Sequence, residues 1–323
     1  MESTTWQDDR GRDAESPTQI PAKGWKDVLK RVKRSIKDDN LSMISAAMAY
    51  YALFALVPAL SAVVLMYAWF SDPADIQQHM TTMKDVLPAE AQTIVGDQLK
   101  NLSGSASSSL GIGAIGALLI ALWSASKGSK AIIQALNIIY EEDESRGFFK
   151  LNSFAIGLTL LGAFMGILAI GVIVVVPVVM QFIDFIPMVT VLATAGSWLI
   201  LLGLFSFYLS FTYRFGPDRQ NAKWKWVSWG AVFAAVSWAL VSALFSWYAK
   251  EFGNFNKTYG SLGAIIVMMT WFYLSSFVIL IGAEINAETE HQTAKDSTTE
   301  PDEPMGHRDA RMADTLGESP MHH

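Results

Sequence analysis

Between Leu41 and Phe70 the chain carries no charged side chain. A helix rises about 1.5 Å per residue and the hydrocarbon core of a bilayer is about 30 Å thick, so this run is long enough to cross. It is too long for the apolar core of a secretion signal, and the polar residues before it, MESTTWQDDRGRDAESPTQI, lack a signal peptide's charge pattern and cleavage site. Charged residues make up 17% of the 323 positions, against about 25% in an ordinary soluble domain. The apolar residues gather in long blocks, which points to an all-α, polytopic membrane helix bundle.

Spans are expected at about 41–70, 110–126, 151–180, 188–211, 227–248 and 262–283. The second is short, about 26 Å at helical rise. Extending it would place Lys127 and Lys130 in lipid at roughly 2.5–3.5 kcal/mol each, so it is ended near Ser126. The distribution of cations supports six crossings. With the N-terminus inside, only Lys84, Lys100, Lys250 and Lys257 of the 24 Lys and Arg lie outside. Both termini are therefore expected in the cytoplasm.

Outside the membrane domain (41–287), residues 1–23 are expected to be disordered. Residues 24–40, within GWKDVLKRVKRSIKDDN, place Trp25, Val28, Leu29, Val32 and Ile36 at helical spacing among lysines and arginines. That pattern reads as an amphipathic helix in the membrane interface, with anionic lipid headgroups as partner. A nucleic-acid partner is not expected, and nothing specifies an oligomer. Residues 71–109 read as a short helical outer segment, either resting on the bundle or capping its mouth. The acidic tail, 288–323, lacks a hydrophobic period and is expected to be disordered.

Candidate functional residues fall in three groups. Tyr50 and Tyr51 lie several turns inside the first span, and Pro58 frees a backbone carbonyl there. They can line a polar pathway or bond between helices. Glu284 and Asn286 sit at the end of the last span, where an ionisable group generally has a partner. Lys127, Lys130 and Arg214 lie on the same side, as candidate ion-pair partners for Glu284 and as a basic mouth attracting anions. The same cations also follow from the positive-inside rule alone. Tyr259, in TYGS before the last span, is a further pathway candidate, and a plain helix start explains it equally. There is no cysteine, and His79, His291, His307, His322 and His323 lie outside the spans. No catalytic residue, metal site or cofactor is expected, and phosphate-loop and hydrolase motifs are missing.

Three blocks, SAAMAYYALFALVPAL, RFGPDRQNAKWKWVSWGAVFAAVSWAL and FNKTYGSLGAIIVMMTWFYLSSFVILIGAEINA, resemble the YihY/BrkB family of bacterial inner-membrane proteins over roughly Gly24 to Glu288. The resemblance implies six membrane helices, and it carries no settled catalytic or transport residues. The older family label of ribonuclease is regarded as a misassignment. The expected function is a transporter or exporter of a small solute, anionic if the basic mouth is functional. The alternative is a non-transporting protein of envelope integrity or lipid interaction.

Overall fold

The structure is a computed structural model describing residues 8–70, 107–182, 187–251, 261–299 and 301–318. All regular structure among them is helical, apart from a single antiparallel bridge between Ala222 and Thr298. The helices are α1 (Ala22–Asp38), α2 (Leu41–Phe70), α3 (Ser107–Ile139), α4 (Phe148–Phe182), α5 (Pro187–Phe215), α6 (Trp224–Glu251), α7 (Ser261–Glu290) and the short α8 (Arg311–Asp314). Four contain stretches long and apolar enough to cross a membrane: Phe148–Ile173, Val191–Phe215, Trp224–Ala249 and Ile265–Glu290. The expected outer segment lies outside the described residues up to 106, and Ser107–Ser109 open α3.

Each long helix packs on the next in the chain, and α7 closes the circuit by packing on α2. Burial is concentrated at one end. Most buried positions fall toward the start of α2, α4 and α6 and toward the finish of α3, α5 and α7, with Ala121 and Gly263 exceptions among the described residues. Leu41, Leu136, Tyr140, Tyr213, Val227 and Leu280 belong to the core there. The N-terminal arm and the C-terminal tail cover this same end, called the basic end below.

Helix α3 runs well past Ser126, where the sequence reading ended the span. Lys127 and Lys130 do not stop it, because neither ammonium needs to enter an apolar core. Lys127 is exposed, and Lys130 rests over the rings of Trp123 and Phe148. Its last turns then bury Ile133, Leu136 and Ile139 at the basic end. Glu141, at φ 54°, turns the chain out of the helix, and the Glu142 N–H donates to the Asn137 carbonyl at 2.8 Å.

The arm docks through α1. Val28 and Val32 pack on Ile285 of α7, while Ala14, Ile20 and Trp25 gather around Trp226. Asn40, also at φ 54°, makes the elbow from α1 into α2, and a short polar side chain tolerates that left-handed conformation.

The tail differs from the disorder expected of 288–323. Glu288–Glu290 complete α7, and 291–299 and 301–318 are placed against the arm and the α5–α6 loop. Residues 8–20 are likewise structured and include two 3-10 turns. The reason is polar rather than hydrophobic docking. Thr293 Oγ1 donates to the Ala14 carbonyl at 2.6 Å, and Arg12 donates to the carbonyls of Gln292 and Gly317 at 3.2 and 2.7 Å. Buried Arg308 ties the tail to itself through the carbonyls of Ala294, Glu303 and Ala313 at 2.9, 3.0 and 2.6 Å. Low hydrophobicity therefore did not prevent order here.

Candidate functional site at the basic end

The site begins where α6 crosses α7. Gly230 and Gly282 bring the two backbones together. A Cβ on Gly230 would collide with the Gly282 carbonyl, and one on Gly282 would meet Ala234 Cβ at 2.7 Å and the Tyr213 hydroxyl at 2.9 Å. Asn286 locks the crossing, its Oδ1 accepting from the Gly230 N–H at 2.7 Å and its Nδ2 donating to the Val227 carbonyl at 2.9 Å. Tyr213 of α5 adds a third helix by donating its hydroxyl to the Ile279 carbonyl at 2.7 Å.

Two residues before Asn286, Glu284 is completely buried. Neither carboxyl oxygen has a hydrogen-bond partner among the described residues. The Asp39 carboxyl, at the elbow, lies against it. Burial pushes Asp39 above the ordinary aspartate range, and Glu141, Asp38 and Glu288 add to the effect, while contact with Glu284 opposes it. Other buried groups at this end, among them Ser45 Oγ, the Tyr140 hydroxyl and the Trp226 indole N–H, also lack partners among the described residues. Burial drives the Tyr140 phenol well above its usual range.

Around this lie three ion pairs that the sequence did not single out. Arg219, in the α5–α6 loop, donates to both carboxyl oxygens of Glu290 at 3.1 and 2.7 Å. Both side chains are fully buried, the Ser297 hydroxyl donates to Glu290 at 2.8 Å, and the guanidinium lies 4.2 Å from the Tyr140 ring centre. Burial works against the charge on Arg219, but Glu290 and the electron-rich phenol hold its pKa above normal. On the arm side, Arg31 pairs with Glu288 and donates to Gln292 Oε1 at 2.9 Å, while Arg10 pairs with Asp27. The only sequence signal for these pairs was the coincidence of basic and acidic residues on one side of the membrane domain.

The residues singled out from sequence separate into distinct places. Glu284 and Asn286 lie together in the buried end, but both ends of the Asn286 amide are used by the α6 backbone. Glu284 makes no ion pair with Lys127, Lys130 or Arg214. Arg214 instead lies over Trp224 and Phe215, at 4.6 and 5.1 Å. These cations rest on aromatic rings or stand exposed, because long side chains beside apolar helices gain by carrying their charge out to the interface. Tyr50 and Tyr51 are 50% and 39% exposed and pack on each other, with Tyr50 also against Phe54. They point away from the face of α2 that buries Ser45 and Ala49. Pro58 falls within α2, but its side chain lies outside the described residues, as does all of Tyr259.

Comparison with known proteins agrees with this membrane architecture. The family model of virulence factor BrkB matches residues 32–306. The ribonuclease-like protein YfkH of Bacillus subtilis is 34% identical over 259 residues, covering 75% of this chain and 88% of its own. The UPF0761 membrane protein IL2447 of Idiomarina loihiensis is 26% identical over 275 residues, covering 81% and 90%. A UPF0761 membrane protein of Haemophilus influenzae is 22% identical over 257 residues, covering 78% and 91%. No solved structure matches. The chain is a membrane protein of the virulence factor BrkB family.

Proposed function

We propose that this protein is a transporter of a small solute in the bacterial inner membrane, crossing six times with both termini and the basic end in the cytoplasm. In this reading the basic end is a closed gate and Glu284 exchanges a proton when the gate opens. The observation that carries it is the complete burial of Glu284 with no counter-ion among the described residues and with another carboxyl, that of Asp39, as its neighbour. A charged carboxylate so placed costs several kcal/mol, and apolar residues in its place would give an equal or more stable bundle. An ionisable group retained at such a cost inside a membrane helix points to function. Asp39 beside it supplies a second carboxyl on the cytoplasmic side, through which a proton can pass.

This reading replaces attraction of an anion with exchange of a proton. The cations considered as a mouth stand exposed or against aromatic rings, whereas Glu284, a carboxyl, is buried without a counter-ion among the described residues.

The test is reconstitution in vesicles containing a pH-sensitive dye, with organic phosphates, other anions and cations offered in turn under an imposed pH gradient. A transported solute should move protons with it, and Glu284→Gln should fold and abolish that link. If none moves with correctly folded protein, transport is refuted. The envelope or lipid-interaction reading, which the exposed lysines of α1 favour, then takes its place. Topology is tested separately in this cysteine-free chain. Single cysteines at Lys295 and Lys250 should react with a membrane-impermeant maleimide from opposite sides.

A further inference from the structure

Helix α1 divides its charges between two faces. Asp27 and Arg31 turn inward, onto Arg10 and Glu288. Lys26, Lys30 and Lys33 turn outward at a spacing that aligns them on one side of the helix, and all three are exposed. None carries an ion pair among the described residues, whereas Lys23 nearby is held by Asp9. The three lysines border a cleft of about 580 Å³, which Ala22, Trp25 and Leu29 also line. Leu29 is 55% exposed, an apolar surface between ammonium groups.

The cleft adjoins a second feature. Trp25 packs on Trp229 of α6, with ring centres 6.4 Å apart. From Trp229 an exposed apolar stripe continues down α6 through Val232, Val236, Leu240 and Leu244. These positions recur every three or four residues, the spacing of a single helix face. A cationic cleft with an apolar floor therefore stands at the head of an apolar track.

We infer that the α1–α6 junction binds one anionic glycerophospholipid, its phosphate among Lys26, Lys30 and Lys33 and its acyl chains along the α6 stripe. Charge complementarity selects an anionic headgroup, because no acid faces the three lysines from α1 itself. The track beyond Trp229 favours a lipid over a soluble phosphate, since only a lipid covers both features. This site lies on the surface and does not depend on transport.

The test uses the full chain in detergent, titrated with phosphatidylglycerol or phosphatidylcholine and followed by native mass spectrometry. Phosphatidylglycerol should bind at least tenfold more tightly than phosphatidylcholine. Lys26→Gln/Lys30→Gln/Lys33→Gln should weaken it about a hundredfold, at about fivefold per lysine near an anionic surface. Lys295→Gln/Arg311→Gln, which removes cations elsewhere, should leave binding unchanged. Should the triple variant misfold, Lys30→Gln alone should still show about a fivefold loss. Equal binding of the two lipids, an unaffected lysine variant, or displacement of the lipid by equimolar glycerol phosphate would each overturn the inference.

Discussion

Replacing Glu290 by glutamine removes one charge from a pair whose members are both fully buried. Arg219 keeps the ring of Tyr140 but loses its counter-ion, and Ser297 loses a charged acceptor. Breaking a buried pair from one side costs about 3–5 kcal/mol, because the remaining charge stays out of water. At about 1.4 kcal/mol per tenfold, tail docking should weaken by a factor between about a hundred and a few thousand. The membrane helices do not depend on this pair for their mutual packing, so the loss should be local. Hydrogen exchange reads it directly. The Lys223 amide donates to the Ser297 carbonyl and the Thr299 amide to the Asn221 carbonyl, and both bonds exist only while the tail is docked. Both amides should lose protection in Glu290→Gln, while those in the middle of α6 keep theirs. Arg219→Met/Glu290→Met should recover most of the protection, since apolar replacement of a whole buried pair is frequently neutral or better. Unchanged exchange in the single variant, or a double variant no better than the single, would refute the assignment of docking to this pair.

Other perturbations test neighbouring parts. Gly230→Ala should destabilise the α6–α7 crossing by about 1–3 kcal/mol, seen as a lower unfolding midpoint in detergent. Tyr213→Phe removes the hydrogen bond to the Ile279 carbonyl and should cost about 1 kcal/mol in the same assay. Asp39 and Asp218 should respond to pH with opposite signs. The Asp39 pKa is raised, so the folded state holds its proton more tightly than the unfolded chain. Its cost appears as pH rises above the ordinary aspartate value, and Asp39→Asn should stabilise at pH 7 with a gain that fades on acidification. For Asp218, burial is outweighed by hydrogen bonds from Ser145 and by the charge of Arg146, so its pKa is lowered. Its contribution is present at pH 7 and lost as pH falls through the folded-state value, so Asp218→Asn should destabilise at pH 7 and not in strong acid.

The long helices were legible because lipid and apolar packing impose length and hydrophobicity, which composition records directly. Glu284 was legible for a related reason: a carboxyl after Gly282-Ala283 at the end of an apolar run is conspicuous. Its surroundings were not legible. Lys127 and Arg214 were close in topology but turned to other environments, a choice of rotamer and helix face that charge counting does not contain. The tail was misread because its order rests on side chains meeting backbone carbonyls, such as Arg12 on Gly317 and Thr293 on Ala14. Such contacts join residues hundreds of positions apart and leave no hydrophobic period. Arg219 looked like one more inward-facing cation, and only the fold brings Glu290 and Ser297 around it.

The pairing of Arg31 has a consequence for how the molecule is made. Its partners, Glu288 in the last turn of α7 and Gln292 just beyond it, leave the ribosome only after all the other long helices. Throughout synthesis the inward face of α1 must therefore keep its guanidinium hydrated, or lend it to something temporary. Closure of this end is a final event of biogenesis, and a nascent chain stalled before Glu288 would expose the arm to whatever handles membrane proteins at the translocon.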